Sequence, residues 1–452
     1  QMSFYRPPDD SPELEYLKQC RTALGGHLPA RRTKGDSLDI PALTIFERLL
    51  QETGEREIST TQALVQAMTL LCKDKNIGQR VVPIVPDEAR TFGMEGMFRQ
   101  IGIYAHEGQK YEPVDRDQLM YYKENQSGQL LEEGITEDGA MSSWIASATA
   151  YSNSGMQMIP FYIFYSMFGF QRIGDLVWAA GDMQARGFLI GATSGRTTLN
   201  GEGLQHEDGH SQIMAGNVPN CVSYDPTFSH ELMVIMQNGM ERMFKKQENV
   251  FYYITTMNEN YSHPGLSKGQ EKNIVKGMYL LQKGKKGKTR VQLLGSGSIL
   301  REAIAAADLL SADFKVEADI WSCTSFNQLK RDGDDVSRWN MLHPDKKPKM
   351  SHVEKCLLDT DGPVVAATDY VKLFADQIRA YVPRSYSVLG TDGFGRSDSR
   401  QALRKHFEVD RYYIAVASLN ALMEDGSVSF KTVNGAIKKY GIDPNKNNPL
   451  MS

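Results

Sequence analysis

Residues 158–184 read MIPFYIFYSMFGFQRIGDLVWAAGDMQ, and FLIG follows at 188–191. The first part is an unbroken apolar run of strand length, as expected for a strand buried on both faces. Ile173, Leu176, Val177 and Ala180 then recur at i, i+3, i+4 and i+7, which predicts an amphipathic helix over 170–184. Residues 188–191 form the next strand. Strand, helix and strand in such quick succession belong to one sheet with parallel strands and a helix on its face. The apolar run 158–170 is shorter than the ~20 residues of a membrane-spanning helix, and it contains Pro160.

The same alternation extends in both directions. Upstream lie a helix over 60–71 and a short apolar strand, 81–85, running into Pro86-Asp87-Glu88. Downstream come a strand at 221–224, the turn Asp225-Pro226, a methionine-rich helix over 229–244 and a strand at 250–256. The polar stretch SHPGLSKGQEKN (262–273) has the composition of an interdomain linker. After it a strand at 290–294 precedes a helix marked by Leu300, Ala303, Ile304, Ala307 and Leu310. Residues 316–321, 364–367, 371–381 and 386–389 continue the pattern. The expected fold is α/β: two consecutive, mainly parallel, doubly wound domains. The first 36 residues are mostly polar, with one short helical candidate at 12–24.

Composition narrows the function classes. The chain has 452 residues, 41% hydrophobic and 23% charged, an ordinary globular balance. A net charge of −4 gives no reason to expect a nucleic-acid partner. Five scattered cysteines without a C-x-x-C pair suit a reducing, cytoplasmic setting and offer neither a disulfide framework nor a thiolate metal cage. The opening QMSFYRPPDD lacks the character of a secretory signal.

Chemistry concentrates in LNGEGLQHEDGHSQ, residues 199–212. Within it, residues 206–210 spell H-E-x-x-H, the pattern of a helical zinc site. Gly201, Gly203 and Gly209 argue against the single helix that such a site needs, because each glycine costs a helix about 1 kcal/mol. A loop after the strand at 188–191 fits better, and such carboxyl-end loops are where open α/β sheets bind ligands. There His206 and Glu202 could act as proton donor and orienting carboxylate. Composition equally allows a polar surface loop. The turn Leu294-Gly295-Ser296-Gly297-Ser298 imitates a dinucleotide fingerprint, but Leu300 stands where its third glycine belongs. The acidic run at 131–139 offers a carboxyl beside Ile135, and residues 106–128 form a long polar loop suited to a lid.

Five stretches together resemble one family: PDEARTFGMEGMFRQIGIY (86–104), EEGITEDGA (132–140), FYIFYSMFGFQRIGDL (161–176), TSGRTTLNGEGLQHEDGHS (193–211) and LGTDGFGRSD (389–398). They are similar to the homodimeric, bacterial-type pyruvate dehydrogenases, the decarboxylating first components of their complex, over the C-terminal half only. The resemblance implies a transketolase-like fold. Residues 1–36 would be the tail of a missing diphosphate-binding domain, 37–270 a pyrimidine-binding domain and 271–452 a C-terminal domain. It implies thiamine diphosphate as cofactor, with magnesium ligands outside this chain, and a homodimer partner or separate chain holding the diphosphate. The implied reaction is oxidative decarboxylation of pyruvate and reductive acetylation of a lipoyl group on the dihydrolipoyl acetyltransferase. A non-catalytic assembly piece is the alternative. Glu137 would hydrogen-bond the aminopyrimidine ring, Ile135 would wedge the cofactor bent, and Phe168 would stack on the ring. Tyr165, Glu88, Glu202 and His206 would line the pocket. The expected absences are metal ligands, nucleic acid and membrane. His210 and Glu207 are expected to be structural.

Overall fold

A computed structural model describes residues 4–26, 32–86 and 89–452. These residues form thirteen strands. The strands, in chain order, are β1 (Val81–Val85), β2 (Ile103–Tyr104), β3 (Glu124–Asn125), β4 (Leu131–Glu132), β5 (Ile159–Tyr165), β6 (Phe188–Ala192), β7 (Cys221–Tyr224) and β8 (Phe251–Thr255), followed by β9 (Tyr279–Gln282), β10 (Arg290–Gly295), β11 (Glu317–Ser322), β12 (Val364–Ala367) and β13 (Tyr386–Leu389). The first sheet has the order β4-β1-β5-β6-β8-β7, and every pairing in it is parallel. The unit at 158–191 lies at its centre, with Phe161 opposite Phe188 and Tyr165 opposite Ala192. The rings of Phe161 and Phe188 stack at 4.6 Å, and the indole of Trp144 donates to the Phe188 carbonyl at 3.0 Å. Burial on both faces explains the unbroken apolar runs. The intervening helix runs Gly169–Asp182 and buries Ile173, Val177 and Ala180.

The second sheet has the order β13-β12-β10-β11-β9. Four strands are parallel. The edge strand β9 is antiparallel to β11, a departure from the alternation expected from the sequence. Residues 371–381 hold only the short helix Leu373–Asp376 and a 3₁₀ turn at Arg379–Tyr381. The polar stretch 262–273 is strapped to the first sheet's domain rather than free. His263 is buried, its Nδ1 accepts the Ser229 amide at 2.8 Å, and the Leu266 amide donates to the Leu50 carbonyl.

Residues 106–128, a long polar loop suited to a lid in the sequence, carry specific contacts. β2 and β3 pair in parallel. The Asp115 carboxylate accepts the Tyr122 amide at 3.0 Å and pairs with Arg90. Among the described residues no helix is long and apolar enough to cross a membrane.

In a parallel sheet all carboxyl ends lie at one edge. At that edge β6 runs into Thr193 and Gly195, both at positive φ (55° and 90°). A threonine in the left-handed region is uncommon, because its branched Cβ crowds the backbone. The reversal sends residues 193–210 across the edge and under the second domain.

Candidate active site

The site is assembled from three carboxyl-end segments. The first is the turn before the helix Glu137–Ala148, which the Thr136 hydroxyl caps by accepting the Gly139 amide at 3.2 Å. Glu137 is therefore the first helical residue, where a carboxylate is favoured by the helix dipole. Its side chain is only 13% exposed, and Arg172 donates to it at 2.5 Å. The Glu137 carbonyl accepts the Tyr162 hydroxyl at 3.2 Å. Ile135, two residues earlier, is 81% exposed, a large apolar side chain with almost no protein cover.

The second segment follows β5. Phe168 closes a 3₁₀ turn at Ser166–Phe168. Arg172, one helical turn later, lies over its ring at 4.2 Å while reaching Glu137. The third segment is the loop 193–210. His206 ends the short turn Leu204–His206. Its ring meets Phe168 at 5.1 Å and Tyr165 at 5.2 Å, and Phe92 backs Tyr165 at 5.4 Å. His206 Nδ1 lies 3.7 Å from the Glu202 carboxylate, beyond hydrogen-bond reach, and has no hydrogen-bond partner among the described residues. Glu137, Arg172, Phe168, His206 and Glu202 thus form a continuous row, with Tyr165 behind it. Glu88 lies outside the described residues.

The H-E-x-x-H pattern does not make a zinc site here, because its two histidines do not share a helix. His206 faces Phe168, whereas His210 approaches Gln171 at 2.8 Å. Asp208 caps the next helix, Ser211–Asn217, by accepting the amides of His210 and Ser211. Gly209 has a packing role: a Cβ there would lie 2.3 Å from the Arg196 guanidinium carbon.

Sequence reading missed the groups that hold this loop. Arg196 is buried and donates to the carbonyls of Thr391 and Gly393 in the second domain. Asp369, just past β12, accepts the Thr197 amide at 2.9 Å and the hydroxyls of Thr197 and Thr198 at 2.7 and 2.6 Å. The available signal for Asp369 was its place after a strand's carboxyl end. Arg172 lies on the predicted helix and could have been found from its spacing of four from Phe168, two residues before that helix. The Gly295–Ser298 turn is a docking joint. A Cβ at Gly297 would lie 2.6 Å from the Asp225 carboxylate, so the first domain fills the space a pyrophosphate would need.

Glu207 is buried with one carboxylate oxygen on the Arg396 amide at 2.8 Å and the other without a partner. Burial pushes its pKa from 4.5 up to about 8, against the Arg396 hydrogen bond. The folded state therefore holds a proton that the unfolded chain has released, and stability falls as pH rises from about 4.5 to about 8. Glu207→Gln is expected to raise the melting temperature at pH 8 and leave it nearly unchanged at pH 4.5. Equal shifts at both pH values would contradict this.

The match to known families decides the identity. Residues 38–264 fit the pyruvate dehydrogenase E1 component middle domain. The chain belongs to the pyruvate dehydrogenase E1 component family. Residues 277–410 fit the transketolase-like C-terminal domain. The chain is 61% identical over 446 residues to the pyruvate dehydrogenase E1 component of Cupriavidus necator, covering 98% of this chain and 50% of that protein. The corresponding protein of Pseudomonas aeruginosa is 60% identical over 451 residues, covering 99% and 51%. The chain thus spans about half the length of the curated E1 relatives it matches. The fold is transketolase-like: a transketolase from Leishmania mexicana superposes with TM-score 0.62 at 14% identity, over 85% of this chain and 48% of that one. A split-gene transketolase described as an inactive β4 tetramer superposes with TM-score 0.52 at 16% identity, over 81% of this chain and 98% of that one.

Proposed function

We propose that this chain supplies the pyrimidine-side half of a thiamine diphosphate site that decarboxylates pyruvate and acetylates a lipoyl group on an acetyltransferase partner. The observation that carries the reading is the contact of one planar cation with two residues: Arg172 lies across the Phe168 ring and donates to Glu137. An aminopyrimidine ring asks for the same two things, a flat face and a hydrogen-bonding carboxyl. It would take the place of the guanidinium. The exposed Ile135 supports its role as the wedge under the cofactor.

The fit covers the pyrimidine half. Among the described residues no group of three His, Cys, Asp or Glu side chains is placed to hold a metal ion. The reading assigns magnesium and the diphosphate to a partner copy or a separate chain. The same reading divides the chain at 1–36, 37–270 and 271–452, and it places Glu88 and Tyr165 among the polar groups near substrate. When bound, thiamine diphosphate supplies the electron sink that lets a 2-oxo acid lose carbon dioxide.

The residues of this chain orient and move protons. Glu137, anchored at a helix start, would hold the ring nitrogen of a bound cofactor and exchange a proton with it through its carboxyl oxygen. Phe168 fixes the ring plane. His206, with its buried Nδ1 turned toward Glu202, offers its imidazole as a donor to a carboxylate substrate or to the incoming lipoyl group.

Titrating thiamine diphosphate with magnesium into the purified chain, and into its Glu137→Gln form, tests the reading. A stacking contact and one strong hydrogen bond support about millimolar affinity. Saturable binding in that range, lost with Glu137→Gln, is expected. Binding that ignores the substitution would overturn the pyrimidine site.

In an enzyme completed with the half that its relatives carry, His206→Ala should slow lipoyl acetylation by about 10²-fold or more. Decarboxylation to an artificial electron acceptor should fall much less. Equal losses in the two assays would remove His206 from the lipoyl step.

A further inference from the structure

Beside the loop 193–210, which Arg400 contacts at Thr198, a cavity of about 470 Å³ opens between Glu259 of the first domain and the segment that carries Arg400, Arg404 and Arg411. That volume lies within the range of small-molecule sites. Four cationic side chains line it against three carboxylates.

The carboxylates are already engaged. Glu259 pairs with Arg301 at 2.7 Å and with Arg404. Glu302 pairs with Arg411 at 2.9 Å and with Arg404 at 3.5 Å. Asp410 caps its helix by accepting the amides of Tyr412 and Tyr413.

The cations are not all engaged. Arg404, with a side chain 7% exposed, has no acceptor for its Nε among the described residues. Arg400 donates its own Nε to the Thr198 carbonyl at 2.5 Å. Neither Arg400 nor Lys405 has a carboxylate within ion-pair distance among the described residues. Beside them Tyr412 and Tyr440 stand 5.1 Å apart, ring to ring. Guanidinium forks left with free donors select planar or tetrahedral anions, and tyrosine faces accept flat rings.

We infer that this cavity binds a small organic anion, carboxylate- or phosphate-headed and carrying a planar ring. Its head lies on Arg400 and Lys405, which have no carboxylate partner, and its ring lies against Tyr412. Because Arg400 also holds the Thr198 carbonyl, occupancy is felt by the loop that carries His206. Nothing in this inference depends on which cofactor the site at Phe168 takes.

Calorimetric titration of the chain with phenyl phosphate, benzoate and inorganic phosphate tests it. At least one ring-bearing probe should bind saturably with a Kd of about a millimolar or below. Inorganic phosphate, lacking the ring, should bind about tenfold more weakly, as expected for a lost stacking contact. Tighter binding of phenyl phosphate than of benzoate assigns a phosphate head, and the reverse order assigns a carboxylate head. Lys405→Glu, at an exposed side chain where misfolding is not expected, should weaken the better probe about tenfold or more. Arg400→Gln should do the same, and Tyr412→Ala should weaken only the ring-bearing probes. Hydrogen exchange in residues 193–210 should slow on binding. Absence of saturable binding by all three probes, or binding unchanged in both Lys405→Glu and Arg400→Gln, would overturn the site. Binding with unaltered exchange in the loop would overturn its link to His206.

Discussion

Glu137→Gln should lower pyruvate decarboxylation by about 10²–10⁴-fold, the usual worth of a positioned acid–base group. The assay is carbon dioxide release by the enzyme completed with the half its relatives carry. A carboxamide still accepts the Arg172 hydrogen bond but cannot exchange a proton with a ring nitrogen. The fold should be nearly indifferent. Arg172 is 49% exposed, and an ion pair with one such partner contributes only about 0–1 kcal/mol. Loss of turnover with an unchanged denaturation midpoint is therefore the expected pair of results. Turnover within a few-fold of wild type would dismiss Glu137 as the proton-exchanging group.

Arg196→Met should have the largest effect on stability. The guanidinium is buried, bonds two carbonyls of the second domain and lies among Asp208, Asp369 and Glu207. Burial lowers its pKa, and those acids hold it up again. Removing the cation strands two carbonyls and leaves the neighbouring aspartates, Asp208 and Asp369, without their counter-charge, a type of change that costs about 3–5 kcal/mol. Urea denaturation would measure it. Gly209→Ala presses on the same guanidinium from the other side and should weaken the same anchor. A loss below about 1 kcal/mol in Arg196→Met would show that solvent replaces the cation, as at an exposed pair.

The architecture was legible wherever burial left a period in the sequence. Ile173, Leu176, Val177 and Ala180 marked their helix, and the apolar runs of β5 and β6 marked a sheet covered on both faces. β9 left no such mark. It is four residues at a sheet edge, and only Tyr279 among them is fully buried. The helix Phe326–Leu342 was hidden by its charged face and an interior glycine, Gly333, which gives room to the Tyr381 ring.

The site was legible in part. The glycines of 199–212 told against one helix carrying both histidines, which lie on separate elements, and His206 meets Tyr165, Phe168 and Glu202. Arg196, Asp369 and Asp225 are different. Each acts through a partner from a distant segment, and no local pattern encodes that meeting. Glu207 reads as one acid among several until its burial is known.

The loop 193–210 is clasped from outside its own domain. Arg400 holds the Thr198 carbonyl, the Gly201 amide donates to the Asp398 carbonyl, Ser397 bonds the Glu202 carbonyl, and the Val371 amide donates to the Gly209 carbonyl. The two sheets are therefore not interchangeable modules. A hybrid that joined the first sheet of one homologue to the second sheet of another would inherit each fold intact and still misplace His206, unless residues 193–210 and 369–400 came from the same parent. Recombination in this family has an indivisible block that no domain boundary reveals: two segments nearly two hundred positions apart, inherited together or not at all.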